Sequence, residues 1–253
     1  RSASGLITQR PFRSPHHSIS SAALIGGGQN PMPGEVSLAH NGTLYLDELP
    51  EFSRNVLEVL RQPLEDRQIT IARAKNTVVY PSSVMLVASM NPCPCGYYTH
   101  PTKQCTCTAM QVQKYLGRIS GPLLDRIDLQ IEIAPLSFDE MSQTTASEPS
   151  AIIRERVVKA RQRQEERYRD HPLIHCNAQM TSAQIREYCQ LDDRSMRVLR
   201  NAMSKLDLSA RAYDRILKVA RTIADYEGLD QITSTHIAEA ISYRNLDRTN
   251  RGY

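Results

Sequence analysis

Residues 42–48 read Gly-Thr-Leu-Tyr-Leu-Asp-Glu, a largely apolar stretch that ends in two adjacent carboxylates. Leucine and tyrosine in this pattern are typical of a buried strand. Such a strand holds Asp47 and Glu48 rigidly at its carboxyl end. At that position one acid can organise a Mg²⁺ ion while the other polarises a water molecule.

The acidic pair has the form of a Walker B motif, one half of a nucleotide site. The other half is a phosphate loop of the form G-x-x-x-x-G-K-S/T, and the 253 residues contain none. An isolated Asp-Glu pair is usually a solvated strand end. Here apolar residues at helical spacing follow it, between Val56 and Leu64 behind a candidate N-cap at Ser53, which favours the Walker interpretation.

Composition sets broad limits on the protein. The chain has 40% apolar residues, enough for a sizeable core, and 31 Lys and Arg against 27 Asp and Glu. The formal charge of +4 is too small to indicate nucleic-acid binding by itself, although it allows a local basic patch. No apolar run is long enough to span a membrane and the start is polar, so we expect a cytoplasmic protein. The absence of an initial Met suggests a fragment of a longer chain.

Further patterns predict an α/β layer around the opening strand. A short helix is expected at 20–25, and two β-prone runs at 68–71 and 77–80 predict a hairpin whose tip carries Arg73 and Lys75. Two more strands are predicted in a parallel sheet: residues 84–89, buried on both faces, and residues 127–133. Strands separated by helices in this way indicate an α/β fold.

The second half of the sequence predicts helices only. Residues 139–150 are polar and are interpreted as a linker between an α/β core at 1–138 and a helical domain at 151–253. A highly charged helix is predicted from Ile152 to Tyr168. Later helices are predicted to begin near Thr181, Asp193, Ser209 and Thr233.

Four of the six cysteines form a C-x-C-x₉-C-x-C pattern: Cys93, Cys95, Cys105 and Cys107. Such clustering in an intracellular protein favours a metal over disulfides, and four thiolates suit a structural Zn²⁺ site. The alternative is a set of reduced or redox-active thiols. Cys176 and Cys189 are interpreted as ordinary thiols. His16 and His17 are interpreted as loop histidines, because no carboxylate or thiol is nearby in sequence to complete a metal site.

Five segments in a fixed order resemble the magnesium-chelatase-like AAA+ ATPases of bacteria, of the YifB/ComM type, over nearly the whole chain. The segments are RPFRSPHHSISSAALIGGG at 10–28, GEVSLAHNGTLYLDELPEF at 34–52, ASMNPCPCG at 88–96, GPLLDRIDLQIEI at 121–133 and SARAYDRILKVARTIADYEG at 209–228. The resemblance implies a partial AAA+ core followed by a helical lid domain. It also implies that a phosphate loop and a protease-like domain precede Arg1 in the intact protein.

The resemblance implies roles for individual residues. Asp47 would hold Mg²⁺ and Glu48 would orient the water that attacks the γ-phosphate of ATP. Asn91 would be the first sensor, Arg126 an arginine finger that reaches a neighbouring subunit, and Arg211 the second sensor, with Arg215 one helical turn away as the alternative. Plainer readings are a turn for Asn91-Pro92 and a salt bridge of Arg126 with Asp125 or Asp128.

Resemblance further implies a homo-oligomeric ring, a hexamer, that hydrolyses ATP with Mg²⁺ and acts on DNA as a helicase or branch-migration factor. Arg73 and Lys75 would contact DNA phosphates in the ring channel, or would simply guard a sheet edge. Two alternatives remain open: a zinc-containing DNA-binding or interaction module without ATPase activity, and a magnesium-chelatase motor subunit. Without a phosphate loop, the chain itself is expected to be inactive.

The missing phosphate-loop strand has a structural consequence. In AAA+ cores that strand lies between those predicted at 84–89 and 127–133. We therefore expect a displaced strand, closure of the gap, or completion of the sheet by another chain, because open edges invite pairing. An intact five-stranded sheet within this chain would contradict the expectation.

Overall fold

A computed structural model describes residues 9–28, 30–72, 77–135, 142 and 148–244. The chain divides into two compact units, an N-terminal unit (Arg1–Ile127) and a C-terminal unit (Asp128–Tyr253). Each unit has its own hydrophobic core.

The N-terminal unit is an α/β structure. Within the described ranges its strands are β1 (Phe12–Arg13), β2 (Gly26–Gly27), β3 (Met32–Pro33), β4 (Thr43–Leu46), β5 (Gln68–Ala72), β6 (Thr77–Pro81) and β7 (Met85–Ala88). Its helices are α1 (Ser21–Ile25), α2 (Glu35–Leu38), α3 (Arg54–Val59), α4 (Arg61–Asp66), α5 (Ala109–Leu116) and α6 (Gly121–Leu124). The predicted fold class is confirmed: a parallel sheet with helices precedes a helical unit.

The central sheet has the order β1-β4-β7, with both pairs parallel. Side chains of a strand alternate between faces, so Leu44 and Leu46 of β4 are fully buried on one face while Tyr45 lies on the other. Helices α1, α2 and α3 contribute Leu24, Val36 and Leu57 to the same core. This packing fixes the carboxyl end of β4.

Local sequence signals produce the helices as expected. Ser20 caps α1 by accepting a hydrogen bond from the Ala23 amide, and Ser53 caps α3 by accepting one from the Val56 amide. The predicted hairpin is confirmed as antiparallel β5 and β6. Its tip, with Arg73 and Lys75, lies outside the described residues.

Two strand predictions are wrong in part. Strand β7 is parallel to β4, but it is not buried on both faces: β4 is its sole partner in the described part of the chain, and Met85 is 60% exposed. Residues 127–133 form no strand; Gln130 makes a single bridge to Arg244, and Ile131 is 67% exposed. An apolar run becomes a strand only when a neighbouring strand continues its ladder of hydrogen bonds, and in the described part of the chain the pairing at Gln130 is an isolated bridge.

Among the described residues the central sheet has three strands, β1, β4 and β7. This agrees with the expectation that the chain forms no intact five-stranded sheet. Among the described residues, β7 pairs with β4 alone. Completion of the β7 edge by another chain stays a prediction.

The C-terminal unit is helical in its described part. Its helices are α7 (Ser150–Arg167), α8 (Ser182–Tyr188), α9 (Asp193–Lys205), α10 (Ala210–Tyr226) and α11 (Ser234–Ser242). The predicted N-termini are confirmed, since Thr181, Asp192, Ser209 and Thr233 are the N-caps of the last four helices. The predicted linker at 139–150 lies mostly outside the described residues, and the domain bounds stay a prediction.

Helix α10 is the centre of this unit. Its Ile216 and Ala220 are fully buried. At its far end the buried Asp225 forms a bidentate pair with Arg167 of α7, at 2.5 and 2.6 Å, and accepts a hydrogen bond from Asn177 at 2.8 Å. A buried carboxylate needs such partners, and here they join α7 to α10.

No helix among the described residues combines the length and the apolar character needed to cross a membrane.

Gly42 provides a test of the sheet packing. A Cβ atom there would lie 1.9 Å from the Pro11 carbonyl oxygen, which accepts the Thr43 amide at the start of β4. Because a backbone atom blocks the space, Gly42→Ala is expected to lower the free energy of unfolding by about 1–3 kcal/mol. Gly121→Ala is the control, because a Cβ atom there meets nothing within 4 Å.

Urea denaturation measures both variants. Equal stability of Gly42→Ala and the original chain would contradict the described packing of β1 against β4.

Candidate functional site

Asp47 directly follows β4, and one of its oxygens is held by three donors. Oδ1 accepts hydrogen bonds from the Tyr45 hydroxyl at 3.3 Å, the Glu48 amide at 3.0 Å and the Ser89 hydroxyl. The Ser89 bond is the main cause that lowers the pKa of Asp47. The other oxygen, Oδ2, has no hydrogen-bond partner in the described part of the chain. Asp47 is thus an ionised, oriented carboxylate with one oxygen available to a cation.

Ser89 joins the tips of two strands. It follows β7; its amide donates to the Leu46 carbonyl at 3.1 Å and its carbonyl accepts from the Leu49 amide at 2.9 Å. The ladder between β4 and β7 therefore continues past the strand ends and fixes the turn that carries the acids. Sequence reasoning missed Ser89, although its position at the tip of the next parallel strand was a signal.

Glu48 has an unusual backbone. Its φ of 51° and ψ of 50° lie in the left-handed region, which is uncommon for a residue with a side chain. Its side chain is 56% exposed, and its Oε2 lies 3.7 Å from Nδ1 of His17, in the loop after β1. No carboxylate is near His17 in sequence, but the fold brings the Glu48 carboxylate to it from 31 positions away. Strained backbones of this kind are concentrated at functional sites.

Asn91 lies two residues beyond Ser89 and is exposed. Its backbone hydrogen-bonds the Tyr115 hydroxyl of α5. It makes no hydrogen bond to Asp47 or Glu48. Asn91, the predicted sensor, therefore lies on the same loop as Ser89. Its side chain is hydrogen-bonded to neither Asp47 nor Glu48.

Arg126 is held within its own unit. Its Nε lies 2.9 Å from Oε2 of Glu65, its Nη1 donates to the Pro122 carbonyl at 2.7 Å, and its side chain is 10% exposed. The partner is Glu65 rather than the Asp125 or Asp128 of the alternative reading. A finger role would require the ion pair with Glu65 to open.

The two sensor candidates of α10 differ in their surroundings. Arg215 forms an ion pair with Asp128 at 2.5 Å and is 18% exposed, whereas Arg211 is exposed. Among the described residues no ion pair holds Arg211. This difference favours Arg211 as the arginine free to reach a ligand.

The four predicted cysteines come together. Their Sγ atoms all lie within 4.8 Å of one another, with Cys93, Cys95 and Cys105 separated by 3.4–3.7 Å. A tetrahedron with metal–sulfur bonds of 2.3 Å has edges of about 3.8 Å. Cys93 is fully buried against α5, where the cluster packs on Val112, Tyr115 and Leu116. All six cysteines are free thiols.

The electrostatics of the cluster favour a cation. Backbone amides of Tyr97 and Thr106 lower the pKa of Cys95 to about 5. The backbone amide of Cys107 lowers the pKa of Cys105, but desolvation and the neighbouring thiols outweigh it and raise the value to about 12. One thiolate thus opposes the ionisation of the others, and a divalent cation at the centre would remove that repulsion.

The comparisons with known proteins identify the family. The family described as Magnesium chelatase, subunit ChlI, matches residues 1–141, and the family of its C-terminal part matches residues 147–244. The chain belongs to this magnesium chelatase family of AAA+ motor ATPases, and it forms a partial AAA+ core followed by a helical lid.

Three relatives within this family are similar to the chain over nearly its whole length. It is 49% identical to the Competence protein ComM of Haemophilus influenzae and 48% identical to YifB of Escherichia coli, in both cases over 95% of this chain and 46% of the relative. It is 40% identical to Rv2897c of Mycobacterium tuberculosis, over 94% of this chain and 47% of the relative. The chain thus spans about half the length of the curated relatives it matches.

Removal of the Ser89 hydroxyl tests the geometry at Asp47. Ser89→Ala is expected to raise the pKa of Asp47 towards its ordinary value, because the largest lowering contribution is lost. The lowered pKa stabilises the fold above the unfolded pKa, and this contribution is lost as the pH falls through the folded pKa. On acidification, Ser89→Ala should therefore unfold at a higher pH than the original chain.

Carboxyl NMR titration measures this pKa. Tyr45→Phe is the control, since its contribution is the smallest of the hydrogen bonds to Asp47. An unchanged pKa in Ser89→Ala would contradict the described hydrogen bond.

Proposed function

We propose that this chain supplies the acidic, water-activating half of an ATPase site in a ring-shaped motor that acts on DNA. The observation that carries the proposal is the Asp47-Glu48 pair, fixed at the carboxyl end of β4 and tied through Ser89 to the neighbouring strand. Polar groups at adjacent tips of parallel strands are where α/β proteins place ligands.

The two acids have different surroundings and therefore different roles. Asp47 is held by three donors on one oxygen and would hold Mg²⁺ with the other; the ion, when bound, neutralises phosphate charge. Glu48 is exposed, and among the described residues its carboxylate accepts no hydrogen bond of this kind, so it would take a proton from a water molecule. His17, 3.7 Å away, would orient the Glu48 carboxylate.

The remaining site residues fit a shared site between subunits. Asn91 would contact the attacking water or the γ-phosphate of ATP, and Arg211 would contact the nucleotide from the helical unit. Arg126 would act on the nucleotide of the next subunit in a homo-oligomeric ring, proposed as a hexamer, after release from Glu65. The phosphate loop must come from outside these 253 residues.

DNA is the proposed substrate of the motor, with helicase or branch-migration activity in the cytoplasm. The hairpin of β5 and β6 carries Arg73 and Lys75 at its tip, where two cations would meet phosphates. The second candidate is a zinc-containing DNA-binding or interaction module without ATPase activity, which the cysteine cluster favours. The third candidate is a magnesium-chelatase motor subunit. It would be distinguished from the first by acting on a protein in place of DNA.

The cysteine cluster is proposed as a structural Zn²⁺ site. Three of the sulfurs lie at separations that suit a tetrahedral site and the fourth, of Cys107, lies within 4.8 Å of them, so four thiolate ligands would leave no open position for catalysis. Cys93 is two residues from Asn91, so the metal would anchor the loop that carries the sensor.

Substitution of Glu48 tests the ATPase proposal. In the full-length product of the gene that encodes this chain, Glu48→Gln is expected to lower the ATP hydrolysis rate at least about 100-fold while ATP binding is retained, because a positioned base is lost. The matched control is Asp66→Asn, an exposed acid of the same unit.

The 253-residue chain alone is expected to hydrolyse ATP negligibly, because it lacks the lysine and amides of a phosphate loop. Wild-type turnover by Glu48→Gln, or turnover by the chain alone at the full-length rate, would contradict the proposal.

Metal content tests the zinc proposal. The purified chain is expected to hold about one zinc ion, measured by mass spectrometry, and to lose it when Cys93 and Cys95 are replaced by serine. Cobalt substitution should give the spectrum of a tetrahedral thiolate site. Cys176→Ser is the control, since Cys176 lies outside the cluster. If the chain contains no metal after it has been refolded in the presence of zinc, the site is refuted.

A further inference from the structure

Residues 67–124 contain no aspartate or glutamate. These 58 consecutive residues carry six lysines and arginines, while the other 195 residues hold all 27 acids of the chain. The stretch includes the hairpin of β5 and β6, strand β7, the cysteines and helix α5. A surface built from it has no carboxylate of its own to repel a polyanion.

Two neighbouring aromatic rings project from this acid-free stretch. Tyr97 and Tyr98 lie between the two cysteine pairs and are 38% and 42% exposed. Lys103 places its Nζ 4.9 Å from the centre of the Tyr97 ring, and His100 packs edge-on against that ring at 5.7 Å. The Tyr98 ring has no aromatic or cationic partner in the described part of the chain.

The cysteine cluster holds the backbone of both tyrosines. The Tyr98 amide donates to Sγ of Cys93 at 3.3 Å, and the Tyr97 amide hydrogen-bonds the sulfur of Cys95. The rings therefore stand on a fixed backbone. Exposed aromatic groups that are already positioned lose little conformational entropy when they bind a ligand.

We propose that the cysteine loop, residues 93–107, is a binding site for single-stranded nucleic acid. Bases would stack on Tyr97 and Tyr98, and Lys103 would meet a backbone phosphate. Stacking requires bases that are not already stacked on neighbours, which favours a single strand over a duplex. The identity of the polymer as DNA rests on the proposed function, whereas the site rests on the contacts above.

The cysteine loop carries aromatic side chains, which the tip of the β5–β6 hairpin lacks. The hairpin tip offers two cations and no aromatic residue, so it can engage phosphates in any strand. The cysteine loop offers rings beside a cation, which is the combination that recognises exposed bases. Tyrosines of this kind also occur at protein interfaces, and the experiment separates the two possibilities.

The test measures binding of a fluorescein-labelled oligothymidine to the chain by fluorescence anisotropy at fixed salt. The joint replacement Tyr97→Ala and Tyr98→Ala is expected to raise Kd at least about tenfold, and Lys103→Ala to raise it less and to weaken its salt dependence. Tyr97→Phe with Tyr98→Phe should bind within about twofold of the original chain, because the stacking faces remain. Tyr226→Ala, an exposed tyrosine of the C-terminal unit, is the control.

Circular dichroism melting confirms that the variants fold, since both rings are on the surface. An oligouridine of the same length distinguishes RNA from DNA, and a duplex of the same length should bind without dependence on the tyrosines. The assay contains no ATP and Asp66→Asn should bind like the original chain, so failure of the ATPase proposal leaves this result intact.

Three outcomes would overturn the site. They are no oligonucleotide binding by the original chain, equal binding by the alanine and original chains, and loss of binding in the phenylalanine variant as severe as in the alanine variant. Binding that is lost on replacing Arg73 and Lys75 but not the tyrosines would place the contact at the hairpin instead.

Discussion

The hydrogen bond from the Ser89 hydroxyl to Asp47 joins the tips of two parallel strands, and the arrangement of the acidic pair depends on it. The backbone contacts of Ser89 with Leu46 and Leu49 close the same corner. One oxygen of Asp47 is occupied by protein donors and the other has no partner in the described part of the chain, so the carboxylate keeps a single direction for a cation. Glu48 has a left-handed backbone, and its carboxylate lies beside His17. The corner of β4 and β7 thus gives the two carboxylates different surroundings, and the proposed division of roles rests on that difference.

Features encoded in nearby residues could be predicted from the sequence. The caps at Ser53 and Ser209, the hairpin and the acidic end of β4 each depend on a few neighbouring positions, and the structure contains them. The cysteine pattern also predicted a cluster correctly, because two C-x-C pairs on one loop have few ways to fold.

Features that depend on distant partners could not be predicted. The burial of β7 and the strand expected at 127–133 both required neighbouring strands, and hydrophobicity alone does not reveal whether a neighbour exists. Likewise, His17 meets Glu48 and Arg126 meets Glu65 only through the fold. Ser89 is a different case: its position at the tip of the next parallel strand was a signal, because parallel register brings residues 47 and 89 to one edge of the sheet.

One loop connects three features of the N-terminal unit. From Ser89 the chain passes through Asn91 to the cysteine cluster and the two tyrosines, and α5 then packs back on Cys93. A metal at the cluster would therefore fix both the candidate sensor on one side and the proposed nucleic-acid contact on the other. Such an arrangement would connect the proposed nucleic-acid contact with the proposed ATPase site through one loop.

The most direct test of the account is a structure of the full-length product with Mg²⁺ and a non-hydrolysable ATP analogue. The account predicts Mg²⁺ on the side of Asp47 that faces away from Ser89, and a water molecule between Glu48 and the γ-phosphate. A nucleotide bound elsewhere, with Asp47 and Glu48 in contact with neither metal nor water at the phosphate, would contradict it.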